Sequence, residues 1–199
     1  MNKILKNPII KNTVILTMIT LISGLLLGLV YEVTKNPIAF AKEKAKQEAY
    51  KEVFADAESF EALENFEEYI VEANVINEVV VAHAGAEKMG YVITVTNNEA
   101  YGGSLTITMG IRNDGTTNGI SFLTLAETAG LGMKAKESEF KNQYADKNVD
   151  SFEVTKTGAA NDNQIDAISG ATITSKSVTS AVNAGITYFE EVLGGTANE

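Results

Sequence analysis

"GYVITVTN", residues Gly90 to Asn97, is the stretch on which the fold class turns. After Val92 it alternates aliphatic residues with threonines (Ile93, Thr94, Val95, Thr96). A period of two with β-branched side chains suits a pleated strand whose two faces differ. Its neighbours read the same way: "INEVVVAHA" (Ile76 to Ala84) before it, "SLTITMGI" (Ser104 to Ile111) and "GISFLTL" (Gly119 to Leu125) after it. Gly, Asn and Asp separate these runs, and "RNDGTTNG", Arg112 to Gly119, is a turn signal between the last two. Short strands joined by short turns pair antiparallel. The expectation is an α+β domain over residues 75–199, one mainly antiparallel sheet with packing helices.

Upstream of the strands the pattern changes. "IAFAKEKAKQEAYKEVFADAESFEAL", Ile38 to Leu63, is rich in Ala, Glu and Lys with few turn formers, which predicts helix. Residues 32–74 are read as a juxtamembrane helical segment whose charges form a solvated face. Further back, "TVILTMITLISGLLLGLVY" from Thr13 to Tyr31 carries no charge. At about 1.5 Å per residue it spans a hydrocarbon core of about 30 Å, so residues 13–31 are read as a transmembrane helix and residues 1–12 as a short cytoplasmic tail. A cleaved signal peptide is the competing reading, with Lys3, Lys6 and Lys11 as its basic region and "AFA" at Ala39 to Ala41 as a cleavage site. The apolar run is longer than such peptides use, which favours a retained anchor. Lysines flank both ends of the run, so charge counting alone does not orient it.

Composition excludes several classes of function. The chain has 199 residues and a formal net charge of -10, with no clustered Lys and Arg to meet a phosphate backbone, so nucleic acid is not an expected partner. It has no cysteine, which removes thiolate-ligated clusters, disulfides and cysteine nucleophiles. Its one histidine, His83, lies at the end of an apolar strand with no histidine companions, and is read as structural; no metal site is expected. Without a "GxSxG" or a recognisable nucleophile-base set, hydrolysis is not expected either. Redox chemistry here would need an organic cofactor.

Two stretches remain unexplained by folding alone. "LAETAGLGMK" (Leu125 to Lys134) follows the last strand; Gly130 and Gly132 allow close backbone approach to a flat ligand, Glu127 and Thr128 offer hydrogen-bonding groups, and Leu131 an apolar wall. A plain strand-to-helix loop would also use those glycines. "DAISGATITS" (Asp166 to Ser175) precedes Val178, Ala181, Val182, Ile186, Phe189 and Val192, spaced as the apolar face of a helix. The hydroxyls therefore sit at a helix start, where unpaired N–H groups and the positive dipole end favour a phosphate, with Thr172, Thr174 and Ser175 as further donors. Simple helix capping by one of them is the alternative.

Asp166-Ala167-Ile168-Ser169-Gly170-Ala171-Thr172 resembles the pattern Asp-x-x-(Ser/Thr)-Gly-Ala-(Thr/Ser), at whose last hydroxyl a flavin transferase attaches FMN through a phosphoester bond. That motif belongs to the FMN-binding domain found in the G subunit of Rnf ion-translocating ferredoxin:NAD oxidoreductases and in the C subunit of sodium-translocating NADH:quinone reductases. The chain resembles the G-subunit family more closely, in its N-terminal membrane helix, "YGGSLTITMGI", the "ETAGLG" loop, "SGATITS" and the final helix. The family's loop usually reads Glu-Thr-Pro-Gly-Leu-Gly; here Ala129 stands in place of the proline.

The resemblance implies covalent FMN on Thr172, with Ser169, Gly170, Ala171 and Thr174 around the phosphate and Glu127, Thr128, Leu131 and Gly132 near the isoalloxazine ring. It implies that Asp166 is read by the transferase and that the small Gly170-Ala171 pair gives that enzyme access. It also implies an electron relay on the extracytoplasmic side, in a complex with other membrane and peripheral subunits that couples ferredoxin:NAD electron transfer to Na+ or H+ translocation. The uncharged span from Thr13 to Tyr31 offers no ion path of its own. Two other readings stand beside it: the FMN-binding domain of a different membrane reductase or regulator, and a cofactor-free membrane-anchored interaction module.

Overall fold

The structure is a computed structural model that describes residues 7–63 and 66–194. In chain order it contains helix α1 (Pro8–Val53) and strands β1 (Ser59–Ala62), β2 (Tyr69–Val71), β3 (Asn74–Ala84), β4 (Glu87–Ala100), β5 (Gly103–Arg112) and β6 (Thr117–Thr124). A 3-10 turn (Gly132–Lys136), the short helix α2 (Ser138–Lys141), a second 3-10 turn (Asn142–Tyr144) and strands β7 (Ala145–Lys147), β8 (Glu153–Thr155) and β9 (Gln164–Asp166) follow, and helix α3 (Thr172–Glu191) ends the fold.

Asn7 and Pro8 set the start of α1. The Ile9 N–H donates to Asn7 Oδ1 at 3.0 Å, and proline at the first helical position gives up only an N–H that would have no partner. The large apolar side chains from Ile9 to Phe40 are exposed, and the helix is long and apolar enough to cross a membrane. It continues through Pro37, which leaves one carbonyl of the preceding turn without its usual donor, and runs on to Val53. Lys3 and Lys6 lie outside the described residues. Contacts divide the chain into two units, one ending at Ala45 and the other beginning at Lys46.

The second unit holds the sheet, seven-stranded and antiparallel throughout, in the order β1-β3-β4-β5-β6-β7 with β2 also on β3. The parallel pair β8-β9 stands apart from it. The four strands read from alternation are its centre. The helix expected over residues 32–74 is corrected here: it stops at Val53, and β1 and β2 both pair along one edge of β3, at Ser59 to Ala62 and at Tyr69 to Val71. Local propensity favours helix through Leu63, but the otherwise open edge of β3 supplies backbone partners that outweigh it at β1, while the aromatic and β-branched residues of β2 suit a strand in themselves. His83 ends up at a strand end, its Nε2 4.0 Å from Glu61 Oε2.

Cross-strand rows explain what each face buries. Val79, Ile93, Met109 and Ile120 stand opposite one another on β3 to β6 and form the core with Val178, Ala181, Val182, Ile186 and Phe189 of α3. Each such side chain contributes about 1.5–3 kcal/mol by leaving water. A Cβ on Gly185 would collide with Met109 Sδ, so glycine lets α3 settle on the sheet. Val192, expected on that apolar face, lies one residue past the helix and is half exposed.

The other face carries smaller side chains in a polar and an apolar row: Thr94, Thr108 and Ser121 form one, Val80, Val92 and Gly110 the next. Residues 46–57 cover it, with Tyr50, Val53, Phe54 and Ala57 buried against Val80, Ala82 and Val92. Glu78 accepts from Lys46 Nζ (2.7 Å) and Tyr50 OH (2.9 Å), while Glu52 accepts from Ser121 Oγ (2.5 Å) and from Lys141. The end of α1 is thereby tied to β3, to β6 and to α2.

Candidate functional site

The site is assembled at the first turn of α3. β9 ends at Asp166, and five residues then carry the chain to the helix. Ile168 is buried as an anchor, the Ala171 N–H closes a turn onto the Ile168 carbonyl (2.9 Å), and Gly170 takes φ +76°, a left-handed angle that favours glycine. A Cβ at Gly170 would also stand 3.0 Å from Leu131 Cδ2.

Helix capping does not account for the hydroxyls. The residue at the cap position is Ala171, and no side chain makes a cap hydrogen bond. Ser175, fully buried, works backwards instead: its Oγ accepts the Ile168 N–H at 3.0 Å and donates to the Ala171 carbonyl at 3.1 Å. Ser175 is therefore committed to the turn. Thr174 is buried, while Thr172, the first helical residue, is half-buried and its hydroxyl has no hydrogen-bond partner among the described residues. The N–H groups of Thr172, Ile173 and Thr174 have no acceptor within the helix.

The loop after β6 supplies the facing wall. The Thr128 carbonyl accepts the N–H groups of Leu131 (3.1 Å) and Met133 (3.2 Å), and Gly130 sits at φ +76°. The bonds that close this turn come from residues 131 and 133, so the Ala129 N–H takes no part in it. Glu127 Oε1 accepts the Gly102 N–H at 3.2 Å, joining the β4-β5 turn to the loop. Gly132 is buried where a Cβ would lie 2.6 Å from Glu127 Oε2 and 2.7 Å from Thr174 Oγ1.

Between these walls is a cavity of about 460 Å³ lined by Tyr101, Glu127, Thr128, Leu131, Gly132 and the run from Gly170 to Thr174. That volume suits a cofactor-sized ligand. Two stretches far apart in sequence thus meet: Glu127, Thr128, Leu131 and Gly132 with Gly170, Ala171, Thr172 and Thr174. Ser169 and Asp166 do not join them. Both line an adjoining recess of about 210 Å³ with Lys134 and Gln143, because the left-handed turn at Gly170 separates the two directions. Gln143 brackets the Asp166 backbone, accepting its N–H at 2.6 Å, and Asp166 itself is exposed. Tyr101 and Ile173 were not among the expected residues; an aromatic beside the paired glycines Gly102 and Gly103 was the available signal for the first.

Burial raises the pKa of Tyr144 in the core, opposed by its 2.7 Å hydrogen bond with Thr179, so this phenol stays neutral. Among the described residues no Lys or Arg lines the main cavity, which leaves an anion there to the N–H groups and dipole of α3.

This arrangement agrees with what the chain is similar to. Residues 100–187 match the FMN-binding domain family, and residues 1–53 match the RnfG N-terminal region. The G subunit of the proton-translocating ferredoxin:NAD(+) oxidoreductase complex of Clostridium ljungdahlii is 30% identical over 191 residues, covering 96% of each chain. The chain belongs to this G-subunit family. The G subunit of the Na(+)-translocating complex of Acetobacterium woodii is also 30% identical, over 92% of this chain and 93% of its own. Among solved structures, the C subunit of the Na(+)-translocating NADH-quinone reductase of Parabacteroides distasonis shares the fold, with a TM-score of 0.52 at 22% identity over 70% of this chain and 79% of that one. In this member of the G-subunit family, both stretches that meet at the cavity fall inside the FMN-binding match.

Proposed function

We propose that the chain carries FMN covalently, through a phosphoester to the Thr172 hydroxyl, and relays electrons as the G subunit of an Rnf-type complex that couples ferredoxin:NAD electron transfer to Na+ or H+ translocation. One observation carries the reading: in a cavity of cofactor size, the first-turn hydroxyl of Thr172 is both uncommitted and accessible, whereas Thr174 is buried and Ser175 is fully engaged. FMN, when bound, supplies the electron-accepting and electron-donating chemistry; the protein supplies position, polarity and cover.

The residues divide the work. Thr172 holds the phosphate end, and the free N–H groups of Thr172, Ile173 and Thr174 stabilise its charge at the positive end of α3. Glu127, Thr128, Leu131 and Gly132 flank the ring, with Gly132 keeping the wall thin. Gly170 and Ala171 leave the transferase a path to the hydroxyl, and exposed Asp166 with Ser169, in the adjoining recess, gives it a surface to read. A covalent tether retains the cofactor in a site open enough for electron exchange.

The apolar helix α1 is the anchor, with the N-terminus cytoplasmic and the domain on the extracytoplasmic side, where other membrane and peripheral subunits exchange electrons with it. The match of residues 1–53 to a family region supports a retained helix. Intact mass checks the central point: denatured, desalted chain from cells containing an active flavin transferase should carry an FMN-sized adduct that Thr172→Ala lacks. An unmodified wild-type mass, with the transferase active on another target, sinks the proposal.

A further inference from the structure

Outside α1, the large apolar side chains left exposed among the described residues are Ile70, Tyr101, Leu131, Ile173 and Val192. Three of these, Tyr101, Leu131 and Ile173, line the one cavity that also holds Thr172. Exposed apolar groups scattered singly need no explanation, but their convergence on a concave site marks a surface for an apolar ligand. Tyr101 is the extreme case at 70% exposed. It is the one aromatic side chain lining the cavity, and it has no ring partner among the described residues.

Its backbone is nevertheless held. The β4-β5 pairing is irregular between Asn97 and Ala100 and closes at Ala100 opposite Gly103, which takes φ +111°. The Gly102 N–H bonds Glu127 Oε1, and a Cβ at Gly102 would collide with the Ala126 carbonyl, so this turn and the loop are pressed together. A free phenol ring thus stands on a fixed turn at the cavity.

A phosphoester at Thr172 restrains only one end of FMN, and the flat ring at the other end needs its own partner. We propose that Tyr101 stacks on the isoalloxazine ring, opposite the apolar wall of Leu131 and Ile173, and shields one face of it from water. Offset stacking of two aromatic rings is favourable beyond the area it buries. The inference rests on the attachment proposed at Thr172.

Flavin emission from the full-length, transferase-loaded chain in detergent tests it, with intact mass taken on the same samples. A phenol or indole touching an excited flavin quenches its emission, whereas a phenyl ring does not. At equal adduct mass, Tyr101→Phe and Tyr101→Ala are expected to emit several-fold more than wild type, and Tyr101→Trp to stay dim. Emission of Tyr101→Phe equal to wild type overturns the stacking and leaves the tether standing. If Tyr101→Ala loads poorly, Tyr101→Phe carries the comparison alone, because it keeps the ring's shape. A wild-type chain with no adduct overturns the tether, and the stacking with it; mass reads the first failure and emission the second.

Discussion

Helix α3 borders two cavities of nearly equal size, about 460 Å³ at its first turn and about 440 Å³ along its flank, and they differ in what their polar groups are doing. In the flanking one, Asn74 Nδ2 donates to Ser180 Oγ at 2.9 Å and Asn74 Oδ1 accepts from Asn97 at 2.8 Å. Asn183 closes two bonds with the Phe152 backbone, at 2.8 and 2.9 Å, and Thr179 donates to the Ser175 carbonyl. The Asn74 and Asn183 bonds tie α3 to the chain beside it, the Asn97 bond ties β4 to β3, and Thr179 is turned back onto its own helix. At the first turn the Thr172 hydroxyl is unspent, and three large apolar side chains face water. Buried polar groups are normally paired, so volume says little about function and uncommitted chemistry says more.

The comparison breaks most sharply at Thr172. Thr172→Ala should abolish the FMN adduct completely while leaving the thermal unfolding midpoint unchanged, because the hydroxyl makes no internal bond. Thr172→Ser should restore the adduct; failure to do so would mean that transfer needs more than a hydroxyl at this position. Gly132→Ala comes next. The added Cβ meets Glu127 Oε2 at 2.6 Å and Glu127 Cβ at 2.8 Å, so the wall must move, at a cost of about 3 kcal/mol. Chemical denaturation reads that loss, and the emission of the loaded variant should shift with it.

Much of this architecture is legible in the sequence, for physical reasons that also mark where legibility stops. Alternation from Ile76 to Leu125 is a local consequence of burying one face, so the central strands are read correctly. The final helix is likewise visible, except that Val192 falls past its end. The strands β1 and β2 are not visible, because "SFEA" and "YIV" become strands only through the edge of β3. At the site, the resemblance brings the two loops together, which spacing alone could not do. It also groups Ser169 with Thr172, whereas the left-handed turn at Gly170 sends Ser169 into the adjoining recess. Tyr101 lies outside both motifs; its hairpin turn is marked by Gly102 and Gly103, but that this turn meets the loop at Glu127 is a long-range contact that no local pattern encodes.

The flanking cavity supplies the converse test. Asn74→Ala removes the acceptor for the buried Asn97 amide and the donor to Ser180, so stability should fall by about 2 kcal/mol in a denaturant titration. The adduct mass should be unchanged. Loss of the adduct in a folded Asn74→Ala chain would show that the two cavities are coupled and that the distinction drawn between them is wrong.

The smallest effect concerns neither cavity but the tie beneath the sheet's other face. Glu52 is partly buried, which by itself raises its pKa, yet the hydrogen bonds from Lys141 and Ser121 and the Lys141 charge together lower it below the ordinary glutamate value of 4.5. A carboxylate whose folded pKa is depressed adds stability that is fully present above the unfolded value of about 4.5 and fades as pH falls through the folded value. Its side chain is 47% exposed, so solvent screening holds the contribution below about 1 kcal/mol. Glu52→Gln should therefore lower stability slightly near neutral pH, and the difference from wild type should shrink once the pH drops below about 4.5. A difference that persists unchanged into acid would assign the loss to the shape of the amide rather than the charge. Because this tie lies on the face away from α3, loading at Thr172 and every polar bond of the flanking cavity should be indifferent to it.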